Sequence, residues 1–151
     1  MTCFWNLVLI FSIMYTVHPG RHWVTAQSVT KPPVYQPDKE LSVNIGDSAT
    51  LRCCMLNNTF DAVAWFKQPN RKKTQIIVTS LKTSEETFHF FTGFKKSRFC
   101  IESSSNCFNM TILNTTQSDE AMYCCAVMGP KRVVGDGTYL SIKGRISTKT
   151  D

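Results

Sequence analysis

Beyond residue 26 the sequence holds six cysteines, and they are its main chemical resource. Four stand as doublets, Cys53 and Cys54 in "LRCC" and Cys124 and Cys125 in "MYCC", while Cys100 and Cys107 stand alone. An even number of thiols in a small chain reads as a disulfide framework rather than as zinc or redox chemistry. Three N-x-S/T sequons, at Asn57, Asn109 and Asn114, point the same way, because N-glycosylation belongs to the compartment in which disulfides form. Catalysis has little to work with. His89 is the only histidine beyond residue 26, so His-based triads and multi-histidine metal sites are excluded. Glu85 and Glu86 sit in a loop and point to no pocket, and neither G-x-S-x-G nor a P-loop occurs. No enzyme, no cofactor and no metal is expected.

The first 26 residues are expected to be a secretory leader, cleaved near Ala26 and taking Cys3 with it. The stretch "FWNLVLIFSIMYTV" is apolar but shorter than the roughly 20 residues that span a bilayer, and the small residues Thr25 and Ala26 follow it. The Lys or Arg that usually precedes such a stretch is missing. One domain is expected over residues 27–143, with a polar tail at 144–151. The net charge of +6 is carried in turns, "NRKK" at 70–73, "FKKSR" at 94–98 and "PKR" at 130–132, with no long tract or amphipathic helix. That pattern reads as solvated loop charge or attraction to an acidic partner, not as nucleic-acid binding. No long apolar run follows the leader, so the protein is expected to be secreted or to be part of a longer chain.

The elements that must position the cysteines are strands. Period-2 alternation recurs in "SATLRC", "AVAWFKQ", "CFNMTIL", "AMYCCAV" and "GTYLSIK", and "TQIIVT" is a β-branched run. Turn-rich stretches such as "KPPVYQPD", "QPNRKK" and "NTTQSD" separate them. Many short strands of this kind make an all-β sandwich. Adjacent residues on a strand point to opposite faces, so each doublet can commit only one thiol to the core. Cys53 shares its face with Ala49 and Leu51 and points inward, which turns Cys54 out. Cys125 shares its face with Ala121 and Tyr123, which turns Cys124 out.

Trp65 lies on the inward parity of its own strand, and Tyr123 precedes Cys125 by two residues. A Cys…Trp…Tyr-x-Cys constellation is the signature of an immunoglobulin domain: an inter-sheet bridge, here Cys53–Cys125, a Trp packed on it and a tyrosine corner. The distance between the two cysteines leaves room for the extra strands of a variable-type domain. Closing such a loop contributes roughly 4 kcal/mol in the chain-entropy picture.

"GDSATLRC", "WFKQ", "RFCIES…FNMTI", "SDEAMYCCA" and "GDGTYLSIK" together resemble the variable domain of antigen receptors over nearly the whole mature chain. Within that group the chain is most similar to the novel immune-type receptors of bony fish, with T-cell-receptor variable chains as near neighbours. The resemblance implies a variable-type β-sandwich of two antiparallel sheets with Greek-key connections. It implies a salt bridge between Arg98 and Asp119 beneath the sandwich. It also supplies a register, setting Cys53 across from Phe108, and one step along an antiparallel pair this puts Cys54 opposite Cys107. A second bridge, Cys54–Cys107, follows, with Cys100–Cys107 as the competitor if the hairpin is slipped. Cys124 is left for an intermolecular bond or none.

By the same resemblance, ligand contact falls on three loops at one end. They are 56–61 with Asn57, Asn58, Thr59 and Phe60, 80–87 with Lys82, and 127–134 with Met128, Lys131 and Arg132. The outer face with Phe66, Gln68 and Cys124 matches positions that variable domains use for pairing, and "GDG" at 135–137 resembles the joining-strand glycine bulge, although Val134 replaces the usual aromatic before it. The function implied is innate immune recognition of a protein ligand on another cell or a pathogen. Alternatives are a secreted single variable domain acting as a soluble binder or decoy, and a variable chain that pairs with another to build an antigen site. The place implied is extracellular, on the outer side of the plasma membrane if the chain continues or joins a membrane partner.

Overall fold

A computed structural model describes residues 31–57, 60–81 and 87–144. The expected leader at 1–26, most of the expected tail, and the loop residues Asn58, Thr59 and Lys82 lie outside the described residues.

Twelve strands are described. They are β1 (Val34–Tyr35), β2 (Glu40–Asn44), β3 (Ala49–Leu51), β4 (Cys54–Met55), β5 (Ala62–Gln68), β6 (Gln75–Leu81), β7 (Thr87–Phe90), β8 (Phe99–Ser103), β9 (Phe108–Ile112), β10 (Ala121–Met128), β11 (Val133–Val134) and β12 (Thr138–Lys143). The one helical turn among them is a 3-10 turn at Gln117–Asp119. One sheet runs β3–β9–β8, with β1 paired to β4 alongside; the other runs β2–β12–β10–β5–β6–β7, with β11 on β10. This is the variable-type sandwich that the alternation and the cysteine pattern imply. One pairing departs from the antiparallel expectation. β2 runs parallel to β12, because the N-terminal segment pairs first with β4 and then crosses to the other sheet's edge.

Alternation becomes burial where one face meets the core. β9 and β12 alternate buried and half-buried residues along their length, as half-buried strands should. β10 does not alternate, since Tyr123 through Val127 are all buried. β6 breaks parity as well. Trp65 pairs with Val78 but Phe66 pairs with Ile76, so a bulge turns both Ile77 and Val78 inward and leaves Ile76 on the outer face.

The core closes around the Cys53–Cys125 disulfide, whose Cα atoms lie 6.3 Å apart. Trp65 and Tyr123 are fully buried with Leu51, Met110, Ile112 and Leu140. Their polar tips find partners, as buried aromatics need. Trp65 Nε1 donates to the Phe108 carbonyl at 3.0 Å, and the Tyr123 hydroxyl donates to the Asp119 carbonyl at 2.7 Å. Burial raises the pKa of the Tyr123 phenol far above its ordinary value, so it stays a donor. Cys54 and Cys107 face each other across an isolated bridge and form the second disulfide, with Cα atoms 4.1 Å apart. Cys100 faces Thr111 and is exposed.

Candidate recognition surfaces

The loop end begins where β4, β5 and β10 run out of partners. The Asp61 amide donates to the Met128 carbonyl at 2.7 Å, and the Leu56 amide donates to the Pro33 carbonyl at 3.0 Å, so the first loop is tied to β10 on one side and to the N-terminal segment on the other. Between them opens a hollow of about 290 Å³. Met55 and Val127, both buried, form its floor, Phe60 and Val133 its half-buried walls, and Asn57 and Lys131 part of its rim. An apolar floor with a polar rim suits a protruding side chain of a partner: the floor rewards desolvation, and the rim can orient the guest. Loops held on a rigid sandwich are good places for such contacts.

Of the expected loop residues, Asn57 and Phe60 reach this hollow, and Lys131 stands on the rim with Arg132 exposed beside it. Phe60 packs partly against the core, so it anchors the loop as well as lining the hollow. Met128 belongs to β10, paired with Ala62, and is half-buried. The loops themselves are narrower than expected. Val127 and Met128 are strand, Val133 and Val134 form β11, and Ser80, Leu81 and Thr87 belong to β6 and β7.

The second surface is the outer face of the six-strand path. Cys124 pairs with Phe66, and Met122 pairs with Gln68. Phe66 is half-buried and Gln68 exposed. Cys124 lies on the outer face, as its parity implies, but only 7 % of it is exposed. A Cβ at Gly137 would sit 3.2 Å from its sulfur and 2.9 Å from Met122 Sδ, so the Cys124 and Met122 side chains on the neighbouring strand fill the space beside Gly137. Gly137 has φ +93, a conformation side chains resist. A disulfide to another chain through Cys124 would first have to bring that sulfur to the surface.

Three residues that the sequence analysis did not assign to this face add apolar surface to it. Ile76 pairs with Phe66, Leu81 with Ala62 and Val134 with Ala126, so all three share the outer side with Phe66 and Cys124. They are 37 %, 48 % and 41 % exposed. Apolar residues gathered on one sheet face are more than a monomer's scattered surface leucines.

Beneath the sandwich, Arg98 Nη2 meets Asp119 Oδ2 at 2.7 Å. The same oxygen accepts from the Thr116 amide at 2.7 Å and the Thr116 hydroxyl at 3.1 Å. Burial alone would raise the Asp119 pKa, but the Thr116 amide and the Arg98 guanidinium outweigh it and hold the carboxyl below its ordinary range. Among the sequons, Asn57 and Asn114 are exposed, whereas half-buried Asn109 accepts a long hydrogen bond, 3.4 Å, from the Cys53 amide.

Another residue the sequence reading passed over holds the crossing of the N-terminal segment. The Gln36 side chain donates to the Tyr123 carbonyl at 3.0 Å and the Thr138 hydroxyl at 3.1 Å. Its Oε1 accepts from the Cys125 and Gly137 amides. Read as part of a turn between prolines, it gave no sign of this.

Comparison with known proteins agrees with the geometry. Residues 36–143 match the profile of the immunoglobulin V-set domain. The chain is 27 % identical over 129 residues to the T-cell receptor alpha chain V region 2B4 of Mus musculus, covering 81 % of this chain and 89 % of that one. Among solved structures it resembles a chain from work on the structural basis of T cell specificity and activation by the bacterial superantigen toxic shock syndrome toxin-1. There the TM-score is 0.67 at 20 % identity, over 73 % of this chain and 98 % of the other. Two marsupial T cell receptor chains superpose with TM-scores of 0.65 and 0.66 at 21 % identity, and this chain spans 51 % and 50 % of their lengths. At these identities the structural likeness establishes the fold.

Proposed function

Because this chain belongs to the immunoglobulin V-set family, a family of binding and receptor domains, we propose that it is the recognition domain of an immune-type receptor. Its kind is that of the novel immune-type receptors of bony fish, and its ligand is a protein on another cell or a pathogen, met through the loop end. One observation carries this reading: the hollow between the first and last loops, apolar at its floor and bordered by Asn57 and Lys131. V-set domains are typically extracellular, and the two disulfides fit an oxidising compartment. No helix among the described residues is long and apolar enough to cross a membrane. The domain works either in a longer receptor on the outer side of the plasma membrane or as a secreted binder or decoy. The test is staining of a panel of cells and microbes with the tetramerised domain. Binding that a change at Lys131 and Arg132 abolishes supports the reading, and binding indifferent to that change counts against it.

A second reading concerns assembly. The outer face, with Phe66, Ile76, Leu81 and Val134, suits side-by-side pairing with a like domain, as a homodimer or with a second variable chain. Sugar at Asn57 would narrow the loop-end footprint, and exposed Asn114 offers a second acceptor.

A further inference from the structure

The end of the sandwich away from the loop-end hollow gathers the chain's two largest basic turns. β5 leaves the loop end at Ala62, so the turn after Gln68, with Arg71, Lys72 and Lys73, lies at the opposite end. The connection from β7 to β8 brings Lys95, Lys96 and Arg98 to the same place. Neither "PNRKKTQ" nor "FTGFKKSR" contains an acid. Between the turns lies a hollow of about 220 Å³, with Gln75 and Thr92 on its walls and Lys67 and Arg98 facing it.

Lys67 is the unusual member. Its side chain is buried, and its Nζ donates to the Ser118 carbonyl at 2.7 Å. Burial lowers its pKa; Asp119 pulls the other way, but Arg98 and Lys72 add to the loss. Asp119, the carboxylate that lines the hollow, is already bound to Arg98 and Thr116. The hollow therefore keeps a surplus of positive charge at a site partly shielded from water, where an anion is worth more than at an open surface.

We propose that this end binds a sulfated polysaccharide, with a sulfate seated over Lys67 and Arg98 and the chain continuing across the two basic turns. The choice of an extracellular polyanion rests on the functional reading above. Phe91 is the one large apolar side chain of these turns that stands exposed among the described residues. A single ring gives neither a stacking platform for bases nor an apolar face for a membrane.

The test is heparin binding by the full chain secreted from cultured cells. N-glycans are removed first, so that sugar at Asn114, beside Arg98, cannot mask the rim. Three proteins are compared: the parent chain, a basic-end variant (Lys72→Gln, Lys73→Gln, Lys95→Gln, Lys96→Gln), and a control that removes the same charge elsewhere (Lys39→Gln, Lys131→Gln, Arg132→Gln, Lys143→Gln). The expected result is a loss of about tenfold in affinity near 0.15 M salt for the basic-end variant, with the control within about twofold of the parent. Equal losses in both variants, or no retention of the parent, overturn the proposal. Parent binding to phosphatidylserine vesicles as tight as to heparin overturns the choice of a glycan. Lys67→Met, with its fold checked by thermal melting, is expected to weaken heparin binding at least about threefold while the turns stay intact. Staining through the loop end is read separately, with Lys131 and Arg132 changed, so either reading can fail alone.

Discussion

Gln36 and Cys125 lie 89 positions apart in the chain, yet Gln36 Oε1 accepts the Cys125 amide at 3.0 Å. Gln36 thereby ties the crossing N-terminal segment to the strand that carries the core disulfide. The same oxygen accepts the Gly137 amide at 3.1 Å, so one side chain stitches β10 and the start of β12 to that segment.

Gln36→Leu leaves two buried amides and two buried acceptors short of a partner. Each such group costs about 1–3 kcal/mol, and partial relaxation should hold the total near 3 kcal/mol. Urea unfolding is expected to give a lower midpoint with an unchanged slope.

Asp119 should tie stability to acid. Its pKa is lowered in the folded state, so its contribution is present above the unfolded value, about 3.9, and is lost as pH falls through the folded value. Thermal melts from pH 6 to pH 2 are expected to fall more steeply below about pH 4 for the parent than for Asp119→Asn. Parallel curves would remove Asp119 from the acid response.

The two disulfides should differ in weight. Replacing Cys53 and Cys125 by alanine removes the bridge that closes the longer loop, 72 positions, and should cost about 2–5 kcal/mol, or prevent secretion. Replacing Cys54 and Cys107 by serine opens a loop nested inside that span, already shortened by the first bridge, and a smaller loss, about 3 kcal/mol or less, is expected. Denaturation of the two double variants, side by side, checks the order.

How far the sequence led, and where it stopped, follows from locality. Period-2 parity put Cys53, Trp65, Tyr123 and Cys125 on inward faces, and these residues are fully buried. Parity depends only on neighbours along one strand, so a sequence carries it. Exposure of Cys124 depended on how closely its neighbours packed, and Gly137, just before the adjoining strand, comes that close only because β12 pairs beside β10. Ile76 depended on a bulge, whose extra residue no alternation announces inside a β-branched run. Gln36 depended on three distant segments meeting at one amide. Partners of Cys54 needed a register between strands, which the residues alone left open and the family resemblance supplied.

The outer face should respond to charge. Leu81→Asp with Val134→Asp places two carboxylates on the apolar side of β6 and β11. If copies of the chain pair there, sedimentation velocity should show a concentration-dependent dimer for the parent and monomer for the variant. A parent that stays monomeric in the presence of a co-expressed second variable chain argues against pairing.

Recognition through the loop end is tested most directly by staining with the tetramerised domain in three forms: the parent, Lys131→Glu with Arg132→Glu at the hollow's rim, and the basic-end variant on heparinase-treated targets. The parent and the basic-end variant are expected to stain the same cells or microbes, while the rim variant loses at least about tenfold in signal, as removing and reversing contact charges should. Undiminished staining by the rim variant, with its melting temperature unchanged, would contradict a loop-end site.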